Sequence, residues 1–113
     1  IRPHKHINKS ESLHVIEGSA EVVFFDDKGK IKKIISLSNL SSGSCFYYRI
    51  DKPIFHTFLV KSNLFIFHEV TQGPFKKSET IYPYWAPEEK NYAEVKKFAL
   101  KLKKSIRLFK LRR

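Results

Sequence analysis

Between Leu13 and Val70, short runs of β-branched and aromatic residues alternate with turn-forming clusters, which leaves this chain little choice of fold. Ala20 to Phe25 reads as a strand. Asp26-Asp27-Lys28-Gly29-Lys30 then supplies turn chemistry, with Gly29 free to take positive φ. Ile31 to Leu37 returns as the partner strand, and Ser38 to Gly43 is a polar loop. Cys45 to Ile50, His56 to Val60 and Leu64 to Val70 follow, divided by Asp51-Lys52-Pro53 and Lys61-Ser62-Asn63. Many short strands at close spacing predict an all-β sandwich or small barrel.

The rest of the composition bounds this reading. With 113 residues there is room for one compact domain, and 42% apolar residues with ten Phe, five Tyr and one Trp can fill a core. The single cysteine, Cys45, rules out an internal disulfide and points to a reducing compartment, with Cys45 expected as a small buried hydrophobe. The longest clean apolar run, Leu64 to Phe67, is far short of the ~20 residues of a spanning helix. No signal peptide is visible. Ile1 is not an initiator and a motif residue already stands at position 4, so the start reads as lying inside a longer protein.

His4-Lys5-His6 is the sharpest local feature. Residues two apart on a strand share a face, so both imidazoles can converge on one ion. Glu11 follows at five residues and Gly18 at seven more, giving His-x-His-x4-Glu-x6-Gly, and His56 opens a later strand three residues after Pro53. Three imidazoles and one carboxylate suit a single divalent Fe, Zn, Mn, Co or Ni ion. Glu11 has an alternative role, accepting a hydrogen bond from Lys9 or Arg2. His14 and His68 read as solvent-facing strand residues.

This spacing resembles the first metal-binding motif of cupins, and Pro53-Ile54-Phe55-His56 resembles the second, with Pro53 where that motif usually has Gly. The likeness covers most of positions 2–89. Arg2-Pro3-His4-Lys5-His6, Lys9-Ser10-Glu11-Ser12, the Phe24 to Gly29 hairpin, His68-Glu69-Val70 with Gly73-Pro74-Phe75, and Trp85-Ala86-Pro87-Glu88 are similar to the WbuC-type cupin fold metalloproteins. Those are small bacterial proteins associated with O-antigen and surface-polysaccharide gene clusters. The resemblance implies a double-stranded β-helix (jelly-roll) barrel over residues 1–87, a metal held by His4, His6, Glu11 and His56, a cytoplasmic site and a homodimer.

Around that centre, Glu69 is the catalytic candidate. Facing inward with Phe65 and Phe67, it would be a carboxyl among aromatic rings suited to acid/base work; the opposite register turns Leu64, Ile66 and His68 inward instead. Tyr48 is a second proton-moving candidate, and it could line the mouth with Arg2 and Lys9 to hold an anionic or hydroxyl-rich ligand. Trp85, with Tyr82 and Tyr84, reads either as a sugar-stacking surface or as a cover for the barrel. In the surface-polysaccharide setting that the resemblance implies, the expected reaction is Lewis-acid isomerisation or epimerisation of a sugar or sugar nucleotide in O-antigen or lipopolysaccharide synthesis. A non-catalytic sugar-binding or regulatory module and an Fe(II)-dependent oxygenase are the alternatives.

Residues 88–113 form a separate segment. The formal charge is +11, of which residues 1–87 contribute +4 (twelve Lys/Arg against eight Asp/Glu) and residues 88–113 contribute +7 (ten against three). Pro87-Glu88-Glu89 marks a helix start, and Tyr92, Val95, Ala99, Leu102, Ile106 and Phe109 form one apolar stripe on a helix of about six turns. That amphipathic helix can pack on the barrel or a second subunit, or lie on an anionic membrane face. A nucleic-acid partner is not expected, because no reader motif accompanies the charge.

Overall fold

A computed structural model describes residues 1–72 and 79–112 of the chain. The expected Gly73-Pro74-Phe75 element lies outside the described residues.

Among the described residues, eight strands and one long helix follow in order: β1 (Lys5–His6), β2 (Glu11–Glu17), β3 (Ser19–Phe25), β4 (Ile31–Ser38), β5 (Tyr47–Ile50), β6 (Phe55–Val60), β7 (Ile66–Thr71), β8 (Thr80–Ile81) and α1 (Tyr92–Leu111). All pairings between strands are antiparallel. They build a sheet of order β5-β2-β7, a second of order β4-β3-β6, and the two-stranded pair β1-β8. The all-β expectation therefore holds for the strand-rich part, with a helix at its end. Among the described residues no closed barrel forms, because the two three-stranded sheets lie face to face without a ladder joining them into a ring.

Tight turns enforce this arrangement. Gly18, at φ +88°, turns β2 into β3 and sends the chain from one sheet to the other. A Cβ there would stand 2.0 Å from the Leu64 carbonyl oxygen, so only glycine fits. The β3–β4 hairpin closes as its sequence predicts: Asp26 Oδ1 accepts from the Lys28 and Lys30 amides at 2.9 Å each, and Gly29 is at φ +93°.

Two cores result. Leu13, Val15, Val22, Phe24, Leu37 and Ile50 fill the space between the sheets, with the Phe58 and Phe67 rings stacked at 5.9 Å. On the far face of β4-β3-β6, Val23, Phe25, Ile31, Ile34 and Phe55 meet Leu102 and Ile106 of α1. This explains why β3 is buried at every position from Ala20 to Phe25, Glu21 included: both of its faces are covered. β2 shows the other pattern, with Leu13 and Val15 buried and His14 and Ile16 exposed, because its outer face meets water.

The helix begins later than Pro87 suggests. Glu88 to Lys90 form a turn, and Asn91 is the N-cap, its side-chain oxygen accepting from the Glu94 amide. Leu102, Ile106 and Phe109 pack on the sheet as expected, and Val95 and Ala99 are half-buried. Tyr92 instead is 82% exposed, and Phe98 joins the packed face by stacking on Trp85. Near the helix end, Lys110 reaches Glu21 on β3 at 2.5 Å, and Lys61 approaches the same buried carboxylate at 3.5 Å. No helix among the described residues is long and apolar enough to cross a membrane.

Cys45 departs from expectation. Its side chain is exposed, with Sγ directed at the Tyr47 carbonyl (2.9 Å), although its backbone bridges Leu37 and its carbonyl accepts from the Ser38 amide at 2.9 Å.

Candidate metal centre

Three strands and the segment before β1 bring His4, His6, Glu11 and His56 together. His4 precedes β1 and makes an antiparallel bridge to His56, with its amide 3.1 Å from the His56 carbonyl and the reciprocal bond at 2.9 Å. This bridge hangs the N-terminal segment on the edge of β6 and sets the two imidazole centroids 4.7 Å apart. Two residues on, His6 turns to the same side, as period-two geometry requires. Asn8 then takes a left-handed conformation at φ 60°, one that asparagine tolerates, and the chain re-enters as β2 with Glu11 first. One donor atom from each of the four residues lies within 4.8 Å of the other three. The group could hold a metal ion.

The donors are also oriented. His4 Nδ1–H donates to the Arg2 carbonyl at 2.8 Å and His56 Nδ1–H donates to the Ile54 carbonyl at 2.9 Å. His6 Nδ1 contacts Thr80 Oγ1 on β8 at 3.2 Å. Each Nδ1 is thereby engaged by an outer partner, which leaves Nε2 as the free nitrogen of each ring, the arrangement that metal-bound histidines use. His56 Nε2 stands 2.9 Å from Glu11 Oε1, and His6 Nε2 stands 3.6 Å from the same oxygen. Both His56 Nε2 and Glu11 Oε1 are buried, and neither makes an aligned hydrogen bond. Two lone pairs facing each other in a dry site repel unless a cation or a proton stands between them.

The protonation states favour the same use. Burial, and then the neighbouring imidazoles, lower the His4 pKa against the opposing pull of the Arg2 carbonyl and Glu11. His6 is lowered chiefly by burial, with Glu11 opposing and with the charges of His56 and Lys9 adding. Neutral imidazole is the ligating form. Burial pushes Glu11 up, but contacts with His56 and Glu69 and the charges of His56 and His6 outweigh it and bring the carboxyl down to about 2.

The register places Glu69 beside this group. It pairs with Leu13 across β2–β7, as Phe67 pairs with Val15, so Glu69 shares the inner face with both buried residues. The residue still opens to solvent. Partial burial, then the hydrogen bond and charge of Glu11, push its carboxyl up to about 7, with His56 pulling the other way. Tyr48 pairs with Leu13 from β5 and is inward too, but its ring packs against Phe24 at 5.9 Å, with the Lys33 ammonium 5.6 Å from its centre.

The ligand-binding candidates separate. Lys9 stands close enough to act electrostatically on His6. Arg2 is a structural tie: Nη2 reaches the Ala86 carbonyl at 3.5 Å, and the guanidinium lies 4.2 Å from the centre of the Tyr82 ring. Trp85 is not brought to the cluster. It packs on Phe25 (4.8 Å), Phe55 (5.7 Å) and Phe98 (6.2 Å), on the helix-covered face of the sheet whose other face carries His56. Its indole N–H donates to the Asp27 carbonyl at 2.9 Å. It covers the outer face of the β4-β3-β6 sheet, where the sequence reading offers a sugar-stacking surface or a barrel cover. His14 and His68 are exposed on the open face of β5-β2-β7, as expected.

Sequence reasoning missed the outer partners. The carbonyls of Arg2 and Ile54 carry no residue-type signal, and Thr80 is 74 positions from His6. A matching model exists for part of the chain: a domain of unknown function, DUF6016, matches residues 1–37, the segment that holds His4, His6 and Glu11. No curated protein and no solved structure matches the chain.

Proposed function

We propose that this protein binds one divalent metal ion through His4, His6, Glu11 and His56, and uses it on a sugar or sugar nucleotide, the substrate class suggested by the surface-polysaccharide gene clusters with which the similar WbuC-type cupins are associated. The observation that carries the metal is the buried, unaligned approach of His56 Nε2 to Glu11 Oε1, in a group whose imidazoles are all held by their other nitrogen. The resemblance to cupin motifs supports the double-stranded β-helix reading, and two sheets facing each other around one core are compatible with it. When bound, the ion supplies Lewis-acid polarisation of a carbonyl or hydroxyl oxygen.

The chain's own groups do the rest. The Arg2 and Ile54 carbonyls and Thr80 fix the ring orientations, so the donor set needs no reorganisation when the ligand arrives. Glu69 stands on the inner face next to Glu11 and is open to solvent, where it can take a proton from a carbon beside the polarised oxygen and return it. Isomerisation and epimerisation need that exchange.

Metal analysis of the purified protein tests the site. The wild type should carry one equivalent, His56→Ala should lose more affinity than the ~10–100-fold that outer partners are worth, and Glu69→Gln should keep its metal. Unchanged metal in a folded His56→Ala protein sinks the site. Deuterium exchange into keto-sugar nucleotides in heavy water tests the chemistry, with the wild type exchanging and Glu69→Gln not. A metal-loaded protein that binds such ligands without exchange is a binding module, and iron with substrate-dependent oxygen uptake is an oxygenase.

A further inference from the structure

The stripe that made α1 look like a membrane-binding helix is spent on the sheet, yet the opposite face carries a second pattern. At 3.6 residues per turn, Lys97, Leu100, Lys101, Lys104, Leu108 and Leu111 fall within one arc of roughly 100°, directly away from the buried Leu102 and Ile106. All six are exposed. The three leucines are bare to 65%, 44% and 75% in chain order. Lys97 makes one exposed contact, with Glu94 at 3.8 Å, and Lys101 and Lys104 form no ion pair among the described residues. Lys110, by contrast, is turned inward to Glu21 and takes no part.

We infer that this outward arc of α1 is a docking surface for an anionic lipid bilayer, with the lysines at the headgroup level and the leucines seated in the interface. Charge chooses among the occupants. A second copy of the same arc would set lysines against lysines. A nucleic-acid backbone would satisfy the cations but leave three leucines without apolar partners. A bilayer interface takes both, because its surface is negative and its acyl boundary lies just beneath. Since the helix is already packed on the sheet, its conformational order is complete before it reaches the membrane, and the domain lies flat on the surface.

Co-sedimentation of the full chain with phosphatidylcholine vesicles, with and without about one-third phosphatidylserine, tests this. Binding should require phosphatidylserine and fall as salt is raised from roughly 0.1 to 0.5 M, where the Debye length shortens. Replacing Lys97, Lys101 and Lys104 by Gln should cost about fivefold per cation, roughly 100-fold together. Leu100→Ser with Leu111→Ser should weaken binding about tenfold or more while leaving the salt dependence. Both variants change only exposed positions, so far-ultraviolet circular dichroism should be unchanged. Equal binding to neutral vesicles, tighter binding to duplex RNA or DNA than to anionic vesicles, dimerisation without vesicle binding, or full affinity in the leucine variant would each overturn the assignment.

Discussion

The two three-stranded sheets are built from similar residues, yet they are held differently. β4-β3-β6 is covered on both faces, by the other sheet on one side and by α1, Trp85 and Phe98 on the other. β5-β2-β7 is covered on one face only, and its outer face shows His14, Tyr47, His68 and Val70 to water. The candidate metal group straddles the gap. The doubly covered sheet supplies His56, which is 1% exposed, and the half-open sheet supplies Glu11 and Glu69. A fixed imidazole on one side, with a buried carboxylate and an exposed one beside it on the other, is what a site needs when it must hold an ion and admit a ligand.

The comparison can be broken most forcefully at Phe25. Its ring sits between β3 and Trp85, under the helix, so Phe25→Ala should cost about 3–5 kcal/mol in urea unfolding. A loss under about 1 kcal/mol would mean that α1 does not truly close this face. Next comes the hinge between the sheets. Gly18→Ala combines positive φ with a Cβ driven into the Leu64 carbonyl, so at least the ~1–3 kcal/mol of a strained backbone should be lost. Thermal denaturation reads it; an unshifted midpoint would show that β2 and β3 do not need this turn. The smallest effect belongs to the open face. His14→Ala removes only a solvent-side ring contact with Phe46, and its unfolding free energy should stay within about 0.5 kcal/mol of wild type. A larger change would mean that something covers the outer face after all.

Much of this fold was legible in the chain. The strand and turn succession from Leu13 to Val70, the Asp26–Lys30 hairpin and the stripe of α1 all follow from local rules, because side-chain period and turn chemistry act over a few residues. His4-x-His6 was legible for the same reason: a two-residue spacing fixes a shared face. Where local rules are ambiguous, the sequence stopped short. β3 is apolar at every position from Val22 to Phe25, so period two cannot say which side chains look inward, and β7 posed the same question for Glu69. Trp85 reads equally well as a sugar platform or a cover.

Only the tertiary structure decided these. The bulge at Val15–Glu17 and the pairing of Leu13 with Glu69 set the register that turns Glu69 toward Glu11. The docking of α1 claimed Trp85 for the outer core and left the lysine-leucine arc outside. The bridge between His4 and His56, 52 positions apart, joined the two halves of the donor set. Residue type and spacing determined which groups this protein owns for holding a metal. Which of them meet depended on register and on the placement of the helix, and those are fixed by packing between segments far apart in the chain, a term no short window of sequence contains.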